Sequence, residues 1–288
     1  MASFVDHLQI LPMPHKDGRR QPDGEHRTGG LGVRTIADRL EERGWVARIE
    51  DLSYEKPMPE PRLVEAYARG LCDAVASAWD RNRFPLLLLR SNYGALGPVD
   101  ALGEQTGVVW VGPDGAYARG GFLRRAPLDR RALAFVTGHA GRDRFAVRPV
   151  RLPGERVLVI GAARSSGAER SGLAADGVRV HDLGGLTSVA LDAVEADAWY
   201  LHVDVRALRA DAVPAADDSG GEGLDPGELA RAIGAAFQDR PLKAVAFARY
   251  DLNRDEGGRT LDTLVDLVES AVVAAGGVPN PGARSPAS

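Results

Sequence analysis

The feature that most constrains this chain is a rhythm of short apolar runs separated by stretches with helical spacing. The runs are Leu8–Leu11, Trp45–Ile49, Leu86–Leu89, Val108–Val111, Leu133–Val136, Val157–Ile160, Val178–His181, Trp199–Val205 and Lys243–Phe247. Several are apolar almost throughout, as parallel strands covered on both faces are. Between them, Arg62–Trp79 carries Leu63, Ala66, Tyr67, Leu71, Ala74, Val75 and Ala78 on one helical stripe. Pro226–Phe237 opens with Asp225 as an N-cap and Pro226 at the first helical position. Thr260–Ala274 repeats Leu261, Leu264, Val265, Leu267, Val268 and Val272 at the same spacing. Strands alternating with helices of this length build right-handed βαβ units in one sheet. The expected fold is a three-layer α/β/α domain over residues 1–275, with a mostly parallel sheet of about eight strands. Gly276–Ser288 has the composition of a disordered tail.

Charge and composition remove several function classes. The 36 basic residues are outnumbered by 40 acidic ones, for a net charge of −4, which speaks against a nucleic-acid partner. No apolar run approaches the roughly 20 residues of a membrane span. The opening MASFVDHLQILPMPHKDGRR has no basic start, apolar stretch and small-residue cleavage site in the order a leader needs. The expectation is a cytoplasmic protein. The lone Cys72 excludes a disulfide framework and a cysteine-based metal site.

In an open α/β sheet, ligands bind beyond the carboxyl ends of the strands. The residues after Leu89, Val111, Val203 and Phe247, and the polar Gly-rich segment Val213–Gly223, are therefore the first places to look for a site. They hold Arg90, Asn92, Tyr93, Asp114, Asp204, Arg206 and Arg249, with His202 two residues before Asp204 on the same strand face.

Taken together, these strand ends resemble the ureohydrolases: arginases, agmatinases and formimidoylglutamases. LHVDVRALRADAVPAADDSGGEGLDPGEL is similar to the family's S-x-D-x-D-x-x-D-P stretch with its following loop and helix. KAVAFARYDLNRDEGGRT is similar to the strand ending in E-x-N-P and the turn into the last helix. RFPLLLLRSNYGALGPVDAL stands where the family has G-G-D-H or G-G-N-C, and GVVWVGPDGAYARGG where it has D-A-H-x-D. The resemblance runs from about Leu8 to Val272. It implies the arginase-like fold and a homo-oligomer, trimeric or hexameric.

For the family, the resemblance also implies a binuclear manganese site bridged by hydroxide, built from a His, an Asp-His-Asp set and an Asp-x-Asp pair. Hard divalent ions favour such ligands and generate a nucleophile at neutral pH. This chain departs from that set. The first histidine position falls on Tyr93, and D-A-H-x-D falls on Gly112–Ala116, with Asp114 as its one carboxylate. The Asp pair becomes Asp204 and Arg206, and the carboxylate of E-x-N-P aligns with Arg249. The family's base histidine aligns with Arg124, or equally Arg125. Neither a metal nor another cofactor is expected.

The residues have competing readings. Arg206 is either a charge partner for Asp204 or a fork for a substrate anion. Arg90, Arg124, Arg206 and Arg249 together would make an anion pocket, with Asn92 and Asp114 beside it. Tyr93 is either a proton donor or a ring filling the volume of the absent metals. His202 and Asp204 are either an acid/base pair or a satisfied interior pair. Asp114 is a site carboxylate or part of an ordinary P-D-G turn.

Three functions follow. The first is a metal-independent enzyme of hydrolase or lyase type on an anionic small molecule, with Asp204, Tyr93 and His202 moving protons. The second is a catalytically silent relative that binds a metabolite or stabilises an active partner. The third is a metal-dependent C–N hydrolase of amidines or guanidines. An open cleft with perturbed titratable groups favours the first. Arginines and Tyr93 consumed by internal contacts favour the second.

Overall fold

The computed structural model describes residues 7–14, 30–52, 60–119, 127–139, 151–218 and 221–280. Its strands are β1 His7–Met13, β2 Val46–Ile49, β3 Phe84–Leu89, β4 Thr106–Gly112, β5 Val157–Gly161, β6 Arg179–His181, β7 Ala198–Asp204 and β8 Leu242–Ala248. They form one eight-stranded sheet in the order β2-β1-β3-β8-β7-β4-β5-β6, and every neighbouring pair is parallel. Eight of the nine apolar runs of the sequence are strands of this sheet.

Strand alternation divides the core into two layers. Leu86 and Leu88, Val109 and Val111, Leu201 and Val203, and Val245 and Phe247 face one layer. It is covered by α1 (Val33–Glu42), α6 (Ser188–Asp192), α7 (Pro226–Phe237) and α8 (Arg259–Ala274). Leu87 and Leu89, Val108 and Trp110, Tyr200, Ala244 and Ala246 face the other. Its helices are α2 (Glu60–Asp80), α3 (Leu96–Leu102), α4 (Ala132–Val136) and α5 (Gly167–Ala175). The α2–α3 contact is close: a Cβ on Gly97 would lie 2.4 Å from the Leu71 Cβ. Local chemistry sets the helix starts. Ser166 and Glu169 form a reciprocal capping box on α5, and Asp225 caps α7 with Pro226 behind it.

Leu133–Val136, expected as a strand, is the helix α4. An apolar run of four has no period that separates strand from helix. Here every residue of the segment is buried because it packs inside the second layer. Of the expected tail, residues 276–280 are described and 281–288 are not. Among the described residues no helix is long and apolar enough to cross a membrane.

The sheet order carries a functional consequence. β3, β8, β7 and β4 are contiguous at the centre of the sheet. Their carboxyl ends thus bring Arg90–Tyr93, Arg249, Asp204–Arg206 and Asp114 onto one edge, although these residues span 160 positions of sequence.

Candidate functional site

β7 supplies the spine of this edge. Tyr200, His202 and Asp204 alternate onto one face of the strand and are fully or almost fully buried. The Tyr200 hydroxyl lies 2.9 Å from His202 Nδ1, and His202 Nε2 lies 3.0 Å from Asn92 Oδ1. The Asn92 side-chain amide donates to Asp204 Oδ2 at 2.8 Å. An Asn that gives its N–H to a carboxylate presents its carbonyl to His202, so Nε2 carries the proton and Nδ1 accepts from Tyr200. Every donor in this chain points towards Asp204. Trp110 stacks on the imidazole, with ring centroids 3.9 Å apart.

Arg206 closes the spine from above. Its Nε lies 3.0 and 3.2 Å from the two Asp204 oxygens and its Nη2 lies 2.5 Å from Oδ2. The turn Val205–Ala207 adds the Arg206 backbone N–H to Asp204 Oδ1 at 3.1 Å. The same Nη2 is 3.7 Å from Asp114 Oδ2. One guanidinium therefore faces two carboxylates.

A second network lies beside the first. Asp129 accepts from the Ser91 hydroxyl, from the Asn92 backbone N–H at 2.6 Å and from Arg249 Nη1. Arg249 also faces Asp217 at 3.8 Å. It sits at φ +72°, a left-handed conformation that costs a side chain roughly 1–2 kcal/mol. Its backbone is held in this position by N–H donation to the Leu89 carbonyl and by acceptance from the Asp217 N–H. Arg90, 2% exposed, donates to the Tyr250 carbonyl and lies 3.8 Å from Asp217 and 3.5 Å from Asp251.

The electrostatics follow from burial and pairing. Burial alone would raise the Asp204 carboxyl, but Arg206, with Asn92 and Arg249, overrides it and holds the group below the ordinary carboxylate range. His202 has no such help. Burial lowers it to about 3, against a weaker opposing pull from Asp204, so it is neutral at physiological pH. Asp114 moves the other way: burial and the neighbouring Asp204 raise it more than Arg206 lowers it.

The structure thus brings Arg90, Asn92, Tyr93, Asp114, His202, Asp204, Arg206 and Arg249 to one edge, while Arg124 and Arg125 lie outside the described residues. His202 touches Asn92, not Asp204. Tyr93 is buried in the second core layer against the site. The sequence reading did not single out Asp129 or Asp217. Asp129 precedes the run Leu133–Val136 without any motif around it, and its partners are 37, 38 and 120 positions away. Asp217 lies in the flagged Val213–Gly223 segment, where the doubled acid of AADDSGG was the available signal.

A binuclear metal centre does not fit this donor set. The Arg206 guanidinium lies against both Asp204 and Asp114, the place a metal between those carboxylates would need. Among the described residues, no three His, Cys, Asp or Glu side chains converge in a way that could hold an ion.

An all-parallel sheet of this order, with helices on both faces, defines the chain as a three-layer α/β protein with a charged cluster at its strand ends. Solved structures make the class specific. The chain superposes on the arginase from Bacillus cereus with a TM-score of 0.77 at 20% identity, covering 93% of this chain and 98% of that one. The Entamoeba histolytica arginase, solved in complex with L-ornithine, gives 0.77 at 14% identity and the same coverage. The formimidoylglutamase from Bacillus subtilis gives 0.73 at 13% identity, covering 96% of this chain and 88% of that one. The fold is the arginase fold. No family model and no curated protein sequence matches the chain.

Proposed function

We propose that this is an arginase-fold protein in which an ion-pair network takes the place of a metal centre, and that it is catalytically silent towards guanidines and amidines. It acts instead as a metabolite-binding or partner-stabilising subunit. The observation that carries this reading is Arg206: its guanidinium grips Asp204 with two nitrogens and reaches Asp114 at 3.7 Å. A guanidinium cannot be deprotonated in a protein, so it offers no ligand to a cation and occupies the charge-compensating position permanently. Arg249 and Arg90 are likewise matched to carboxylates, which leaves the expected anion pocket without unmatched cations among the described residues. We place the protein in the cytoplasm as a homo-oligomer with one domain over residues 1–275.

The test is metal content by mass spectrometry after dialysis against excess manganese and washing, together with urea release from arginine and agmatine and formamide release from formimidoylglutamate. Expected are far fewer than one manganese per chain and no product above background. About two manganese per chain, or metal-stimulated release, would overturn the reading.

Asp114 favours a second reading, the metal-independent enzyme on an anionic small molecule. Its carboxyl is raised, borders a guanidinium and is 8% exposed, which suits a group that gives and takes a proton. In this reading Asp204 and Arg206 position the ligand and Asp114 moves the proton. Thermal stabilisation by a carboxylate or phosphate metabolite that is lost in Asp114→Asn, with turnover of that metabolite, would favour it over the silent reading.

A further inference from the structure

The edge opposite the site holds the feature that neither reading uses. A groove of about 700 Å³ runs across the amino ends of β7 and β8, within the size range of small-molecule sites. Its half-buried apolar lining comes from Trp79, Leu102, Ala198, Pro241 and Ala275. Trp79 donates its indole N–H to the Lys243 carbonyl at 3.0 Å, which fixes the ring in the wall.

Four helices end on this groove: Trp79, Leu102, Gln238 and Ala274 are the last or next-to-last residues of α2, α3 and α8 and the C-cap of α7. Each helix C-terminus carries roughly half a negative charge, which favours a cation beside its last turn. None of these four has a basic residue there. Nearby arginines are turned elsewhere. Arg81 pairs with Glu50 and Arg83 donates to Gln9. Arg240 answers α7 alone, through the Ala236 carbonyl, and otherwise binds the Ser188 carbonyl and Asp192. The rim adds the exposed Asp239 and Asn82, and Lys243 stands on the wall beside Arg240.

We propose that this groove binds a small organic cation, an alkylammonium or diamine whose carbon chain lies on the apolar lining and whose charge is held by the helix ends, Asp239 and the face of Trp79. Aromatic faces attract such cations, most strongly when these are partly desolvated. Binding in this groove is independent of what occupies the carboxyl edge.

The experiment is isothermal titration of the full chain with putrescine and with benzyltrimethylammonium at low salt, with benzoate as the opposite-charge control. Expected is millimolar or tighter binding of the cations, weakened at least tenfold in Trp79→Leu and several-fold in Asp239→Asn. Lys243→Gln, which removes a competing charge, tightens it. Ala275→Lys carries an ammonium into the groove from its half-buried edge and abolishes binding, so the proposal does not depend on Trp79→Leu folding well. No cation binding below 10 mM, preference for benzoate, or weakening in Lys243→Gln would overturn it.

Discussion

Arg206→Met is the most informative single change, because it removes the guanidinium while keeping most of the side-chain volume. In the parent, Asp204 is 1% exposed and accepts from Arg206 Nε, Arg206 Nη2, the Arg206 backbone N–H and Asn92. The substitution leaves the backbone N–H and Asn92 and strands a buried carboxylate without its counter-charge. Two unit charges about 4 Å apart at an effective dielectric of 20 interact by about 4 kcal/mol. Removing one partner of a buried pair typically costs 3–5 kcal/mol.

With an unfolding entropy of roughly 2 cal/mol/K per residue, that loss corresponds to about 5–8 °C in melting temperature for a chain of this size. The pH dependence fixes the interpretation. In the parent the Asp204 pKa is depressed, so its contribution is present above the unfolded value near 3.9 and is lost as pH falls through the lower folded value. In Arg206→Met the folded pKa rises above 3.9, so the deficit is largest at pH 8 and shrinks as the pH approaches 4. Urea denaturation of parent and variant at pH 8, 6 and 4.5 measures this difference directly. Adding Asp204→Leu to Arg206→Met removes the stranded charge and should recover most of the loss. A deficit below 1 kcal/mol, unchanged across the three pH values, would refute the claim that Arg206 compensates a buried charge.

Three further outcomes follow from the same geometry. Arg249→Gly and Arg249→Ala both lose the contact with Asp129, but only glycine accepts φ +72° freely. Arg249→Gly should therefore be the more stable of the two by about 1 kcal/mol, and equal urea midpoints would show that the backbone there is not strained. His202, held to about 3, binds its proton only in the unfolded chain between pH 6.5 and 3, so parent stability falls through that window as pH falls. His202→Gln should flatten that acid slope by up to about 1.4 kcal/mol per pH unit, and an unaltered slope would mean His202 titrates normally. Ser166→Ala removes the Glu169 N–H acceptor of the α5 capping box and should cost about 1 kcal/mol in urea denaturation.

What the sequence disclosed and what it withheld divide along a physical line. Strands such as Phe84–Leu89 and Thr106–Gly112 are buried at every position, and that shows in sequence as uninterrupted apolar runs. Pro226–Phe237 was legible to the residue because its cap and first-turn proline are local signals. Leu133–Val136 was not, since a helix packed all round has the composition of a central strand. Within the site, the Arg206–Asp204 pair was one of two stated readings because the partners are two residues apart. The His202–Asn92 link spans 110 positions and the Arg249–Asp129 pair 120. Such pairings depend on the strand order, which no local pattern encodes. The face shared by His202 and Asp204 was legible; that Asn92 would stand between them was not.

The charge balance bears on which ligand the carboxyl edge tolerates. Among the described residues, ion pairs there join Arg90, Arg206, Arg249 and Arg254 to Asp114, Asp129, Asp204, Asp217, Asp218 and Asp251. These four guanidiniums face six carboxylates, so the arginines paired there do not by themselves make an anion site. An anion meeting one of these arginines has to displace a carboxylate from it or be met by a protonated one. Asp114 is the carboxylate placed to take that proton, because burial and Asp204 raise its pKa above the ordinary value. Protonating it removes one negative charge and turns an acceptor into a donor towards the ligand. If the enzymic reading of the site holds, affinity for a carboxylate or phosphate therefore rises as pH falls and loses that dependence in Asp114→Asn. Calorimetric titration of a carboxylate metabolite in steps from pH 8 down to the onset of acid unfolding measures this. Affinity that rises at no step, or rises equally in Asp114→Asn, would remove Asp114 from any role in anion recognition and leave the silent reading alone.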